Sequence, residues 1–183
     1  MDKLDIVTDE SGNEVVLLPE IIFSNKQNIN WDDVEDYLGK YVGELIEIAE
    51  TRDIIYIGNK FPDEYGGSSY TRKTKGARAK AKANAAQGIR EMVEIATDKV
   101  YRENHKEKHS EDVHNGWYYY VTRFAIPLYN NEKKTGEYNV YSACLVVNHA
   151  ANGKMYLYDV VGIKKKRVTH SRLSSSQVVQ NRF

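Results

Sequence analysis

The chain has 183 residues, 41% hydrophobic and 28% charged, which are the proportions of one globular domain able to bury a core without disulfides or metals. Wholesale disorder is excluded, and no run approaches the roughly 18 uncharged apolar residues of a membrane span. The opening Met1-Asp2-Lys3-Leu4-Asp5 lacks the basic-then-apolar order of a signal peptide, so a cytoplasmic protein with no membrane partner is expected.

The net charge is zero, yet the charges are divided. Residues 1 to 64 hold 16 acidic and 5 basic side chains, and residues 65 to 183 hold 21 basic and 10 acidic. A basic surface attracts polyanions, so the second half is where a nucleic-acid partner is expected. The single cysteine, Cys144, lies in an apolar run and reads as a small buried hydrophobe, not a nucleophile.

In chain order, Val15 to Leu18 and Ile21 to Phe23 are β-rich runs split by Pro19, with a turn at Ser11-Gly12-Asn13, and predict a hairpin or edge strand. Asn30 can cap a helix from Trp31, where Asp32, Asp33 and Glu35 suit the positive end of the dipole and Val34, Leu38, Tyr41 and Val42 recur at helical spacing. Leu45 to Ala49 and Ile54 to Ile57 predict a second hairpin. Residues 61 to 70, with Pro62, Gly66, Gly67 and paired serines, predict a mobile loop. Lys75 to Gln87 is Ala-rich and strongly helix-forming, with Gly88 as its end. Four β-rich stretches follow: Met92 to Arg102, Trp117 to Tyr129, Tyr138 to His149 and Met155 to Val161. Short connections between the last three predict an antiparallel meander. The predicted class is α+β, with N-terminal hairpins and helices followed by that meander and a helix packed on one face of the sheet. Residues 1–27 form an arm, 28–166 the domain, and 167–183 a basic, flexible tail.

Three groups of residues could carry chemistry. Arg72, Lys73, Lys75, Arg78, Lys80 and Lys82 fall within eleven residues with no acid among them, a pattern that suits either phosphate binding or a solvated helix face. His105, Lys106 and His109, followed by His114, concentrate imidazoles in ten residues, and such groups can hold one base and one acid for proton transfer. Their i, i+4 spacing can also hold zinc. The pattern is not His-Glu-x-x-His and no further ligand is evident, so neither metal nor cofactor is assigned. In the third group, strand alternation places Arg123 on one face with Trp117, Tyr119 and Val121, where a guanidinium could hold phosphate and tyrosines could stack bases; an ion pair with Asp159 or Glu94 would also satisfy it. His149 shares a face with Tyr141 by the same period.

Thr51-Arg52-Asp53-Ile54-Ile55-Tyr56-Ile57-Gly58, Lys80-Ala81-Lys82-Ala83-Asn84, Glu103 to His109, Gly116 to Phe124 and Lys154-Met155-Tyr156-Leu157-Tyr158-Asp159 together resemble domains of the large polyvalent proteins of phages and conjugative elements. Those domains are related to the barnase, EndoU, colicin and RelE group of ribonucleases. The resemblance covers about residues 28 to 166 and implies helices followed by an antiparallel sheet. It also implies metal-independent RNA cleavage, in which a base takes the 2′-hydroxyl proton, an acid protonates the leaving oxygen and cations stabilise the phosphorane. His105, His109, Arg123 and His149 are the candidate catalytic residues; Arg72, Lys73, Lys75, Arg78, Lys80, Lys82, Lys106, Tyr119 and Tyr141 are the candidate nucleic-acid contacts. The alternatives are a non-catalytic module that binds nucleic acid or a host or immunity protein, and an antagonist of host defence whose acidic first half imitates nucleic acid.

Overall fold

The computed structural model describes residues 2–24, 28–103, 115–166 and 172–173. They form an α+β fold in which five α-helices lie on one face of a mixed sheet.

Strands β1 (Ile6–Thr8) and β2 (Glu14–Leu17) form an antiparallel hairpin. Its turn is held by Asp9, whose Oδ1 accepts from the backbone N–H groups of Ser11 and Asn13, and by Gly12 at φ +83°. Helix α1 (Trp31–Leu38) begins where Asn30 accepts from the Asp32 N–H and buries Val34 and Leu38. A second hairpin, β3 (Leu45–Glu47) and β4 (Ile54–Tyr56), follows.

Residues 61 to 70 are not a loop. Phe61–Gly67 form helix α2, with Pro62 in its first turn, where no N–H is required, and Phe61 and Tyr65 packed edge to face in the core. Ser68 then caps α3 (Ser69–Lys73) by accepting from Thr71. The glycines that signalled a loop occupy the end of a helix, and at Gly66 the Glu35 side chain fills the space a Cβ would need.

Helix α4 (Gly76–Ala85) runs through a 3₁₀ turn at Ala86–Gly88 into α5 (Ile89–Glu94). The stretch from Met92 is therefore not one strand. Ile89, Met92 and Val93 recur at helical spacing and bury one helix face, and the strand β5 covers only Thr97–Arg102. The small alanines of this Ala-rich helix let α4 lie close against the protein interior, with Ala79, Ala81, Ala83 and Ala85 buried.

The long strands β6 (Trp117–Asn130), β7 (Lys133–His149) and β8 (Met155–Lys165) form the expected antiparallel meander. The whole sheet is mixed, because β2 pairs with β6 and β4 with β8 in parallel. Strands β5 and β2 share one edge of β6, β5 along Trp117–Val121 and β2 at Phe124–Ala125. Within the span read as a tail, β9 (Arg172–Leu173) pairs with β7, and Leu173 is buried in a small cluster with Val7, Val15, Leu17, Ala125 and Val140.

Alternation along β6 assigns the two faces. Tyr120, Thr122 and Phe124 are buried under the helices, whereas Trp117, Tyr119, Val121 and Arg123 are half-buried on the face that the helices leave open.

Candidate nucleic-acid interface

Register places side chains of neighbouring strands side by side. Arg102 of β5 lies opposite Trp117 of β6, which lies opposite Asn148 of β7, then Tyr156 of β8 and Tyr56 of β4. Cα partners share a face, so this row crosses the open face over five strands. Tyr158 stands edge-on to Trp117 with centroids 5.1 Å apart, and the Tyr56 and Tyr156 rings are 5.7 Å apart. Cations lie over the rings: the Arg102 guanidinium is 5.3 Å from the Tyr119 centroid, and Lys154 Nζ is 4.9 Å from that of Tyr56.

Further along the same face, Arg123 lies opposite Ser142, and Ser142 opposite Lys164. The guanidinium Nε of Arg123 is buried with no hydrogen-bond partner, as is the side-chain oxygen of Asn148. Neither acid that could have neutralised Arg123 does so. Asp159 pairs with Lys82 at 2.5 Å, and Glu94 pairs with Lys3 at 2.8 Å. A half-buried guanidinium whose Nε has no partner among the described residues is an unmet hydrogen-bonding demand.

The structure divides the other sequence candidates. Arg72, Lys73, Lys75 and Arg78 are exposed and Lys80 half-buried on the helical layer, with the sheet between them and Arg123. Arg72, Lys75 and Lys80 line a groove of about 600 Å³ floored by Ile29 and Trp31.

Lys82 is not a phosphate contact. It is fully buried beneath the Tyr65 and Tyr70 rings, with its ammonium on Asp159. Burial pushes the Lys82 pKa down and that of Asp159 up, both against their mutual attraction. Tyr141 is not a base-stacking residue either: it is 8% exposed and stacked on Phe124 at 5.4 Å on the helix-covered face. Tyr119, by contrast, lies on the open face with Arg123.

His149 does share its face with Tyr141, and its ring lies 5.7 Å from that of Tyr118. That is the opposite side of the sheet from Arg123. His149 is also seven residues along β7 from Ser142, the partner of Arg123, or about 23 Å at strand rise. The two residues therefore do not share an anion pocket. His105, Lys106, His109 and His114 lie outside the described residues. Among the described residues no group of three or more His, Cys, Asp or Glu could hold a metal ion, and no helix is long and apolar enough to cross a membrane.

The row from Arg102 to Tyr56 is not visible as a unit in the sequence. Its members come from five strands, and only the register and the parallel β4–β8 pairing bring Tyr56 to Tyr156. Comparison with known protein families, with curated proteins and with solved structures returns no significant match for the chain.

Proposed function

We propose that the protein binds single-stranded nucleic acid, RNA in the first instance, on the open face of its sheet. Bases stack on Trp117, Tyr119 and Tyr156, and Arg123 takes a backbone phosphate. The observation that carries this reading is Arg123, half-buried, with a partnerless Nε, on the same face as an aromatic row flanked by cations. Aromatic platforms beside cations are the physical basis of sequence-tolerant single-strand binding, each stacked base contributing about 1–3 kcal/mol.

The test is binding of a labelled single-stranded RNA to Trp117→Ala and Arg123→Met, with and without a chelator. Trp117→Ala should weaken binding about 5- to 150-fold, the equivalent of one lost stack. Arg123→Met should weaken binding about tenfold while leaving thermal stability unchanged or higher, because it removes a buried Nε that has no hydrogen-bond partner among the described residues. Wild-type affinity in both variants would overturn the reading.

A second reading is metal-independent cleavage of the bound RNA. It is favoured by the position of Arg102 and Trp117, which flank the segment that carries His105 and His109 and stand together at the aromatic end of the open face. In this reading those histidines transfer the protons and Arg123 anchors the phosphate. The same gels, scored for product in the presence of chelator, distinguish a ribonuclease from a binding module, as does His109→Ala, which would lower a cleavage rate about 100-fold.

A further inference from the structure

We propose that the groove between α1, the N-terminal segment and α5 binds an organic ammonium group, with the Glu91 carboxylate as its counter-ion.

Glu91 of α5 is 3% exposed, and its Oε2 is buried with no hydrogen-bond partner. The two cations near it spend their hydrogen bonds elsewhere, Arg90 through two guanidinium nitrogens on Glu44 and Lys3 on Glu94, and act on Glu91 only through space. A buried carboxylate left this way is costly unless a cation reaches it.

A groove of about 180 Å³ opens beside it, with Asp2, Glu20, Tyr37, Lys40 and Tyr41 in its wall. The Tyr41 hydroxyl donates to the carbonyl oxygens of Ala86 and Gln87 at 2.7 and 2.9 Å, which fixes the ring. The two tyrosine faces already hold one ammonium, since Lys40 Nζ lies 3.8 Å from the Tyr37 centroid and 5.1 Å from that of Tyr41. That cation is bonded to the Tyr37 hydroxyl at 2.5 Å, leaving the Glu91 oxygen unmatched. An alkylammonium suits the site: its head donates to Glu91 and its methylene stem lies along tyrosine. Such a group can belong to a free polyamine or to a lysine side chain of a partner protein.

The test is calorimetric titration of the full chain with butylammonium chloride, spermidine and Nα-acetyl-lysine amide, with butanol as the uncharged control. Butylammonium is expected to bind and butanol not, and Glu91→Gln should weaken butylammonium binding at least tenfold. A tenfold preference for spermidine assigns a free polyamine, and a preference for the lysine derivative a partner side chain. Should Glu91→Gln not fold, amide chemical shifts of the wild-type chain decide. Butylammonium should move the resonances of residues 37–41 and 87–91 and butanol should not. Equal response to butanol, unchanged binding by a folded Glu91→Gln, or shifts confined to other residues would overturn the proposal.

Discussion

Replacing Lys82 by methionine isolates the energetics of the ion pair that joins α4 to β8 in the core. The side chains of Lys82 and Asp159 are 0% and 2% exposed, so solvent screening does not discount their interaction, and removing one partner strands the other charge in the interior. Breaking a buried pair in this way costs about 3–5 kcal/mol. For a chain of this length that corresponds to a fall in Tm of roughly 6–20 °C. Asp159 also accepts from the Val160 N–H at 2.8 Å, so replacing it as well leaves that donor unsatisfied and the double variant Lys82→Met/Asp159→Leu recovers only part of the loss. The two changes should still couple by at least about 1 kcal/mol, as contacting residues do. Urea denaturation of the wild type, both single variants and the double variant measures the coupling directly. A Lys82→Met cost below about 1 kcal/mol, or a loss of RNA affinity at unchanged stability, would refute the assignment of Lys82 to the core and return it to the interface.

Asp53 gives a pH signature. Burial raises its pKa, but hydrogen bonds from Lys99, Tyr120 and Thr51 outweigh that and leave it below the usual carboxylate value. A carboxyl lowered by folding contributes stability in full above the unfolded value near 3.9, and the contribution is lost as pH falls through the lower folded value. The stability gap between wild type and Asp53→Asn, measured by denaturant titration, should therefore be constant at neutral pH and narrow on acidification below about pH 4. Gly116→Ala should destabilise by about 2–4 kcal/mol in the same assay, because φ there is +94° and a Cβ would lie 2.8 Å from the Arg102 carbonyl oxygen. Asn84→Ala should cost about 2–3 kcal/mol in thermal melts, since its buried amide bonds the N–H groups of Ile22 and Phe23 and the Phe23 carbonyl. Arg72→Ala and Lys75→Ala, on the far side of the sheet from Arg123, should leave RNA affinity within about twofold at physiological salt.

Strand alternation along β6 was legible because its period is local: the residues assigned to one face, from Trp117 to Arg123, do lie together, and the core face is as buried as its Tyr, Thr and Phe content requires. The loop expected at 61 to 70 failed because Gly66 and Gly67 outweighed Phe61 and Tyr65, whose 3.6-residue spacing is the signal of a buried helix. Lys82 misled for a different reason. In sequence it is one of six cations, but the C-terminal half of α4 is enclosed on all sides, with residues 81 to 85 buried in succession, and only the tertiary packing of α4 against β8 supplies the carboxylate that lets a lysine sit there. The joint placement of Arg123 and His149 failed because it depends on strand parity across a hairpin. They lie on adjacent strands, yet Arg123 pairs with Ser142 and His149 is seven positions further along β7, an odd step that turns it to the opposite side of the sheet.

The two faces of the sheet are under different physical demands, and the difference bears on function. Under the helices, Tyr120, Phe124 and Leu145 are fully buried, and apolar transfer at about 25 cal/mol per Å² is reason enough for their presence. On the other face Trp117, Tyr119, Tyr156 and Tyr158 remain half-exposed, so they contribute less to stability while presenting an apolar surface that a soluble chain ordinarily limits. Polar residues would serve solvation there at lower cost, and two features run further against a purely structural role: Arg102 and Lys154 stand over these rings, and the buried Arg123 Nε has no hydrogen-bond partner among the described residues. Stability accounts for the three only in part. The ligand proposed above would account for all of them, because a nucleic acid strand whose bases are free of pairing is planar and anionic in one chain.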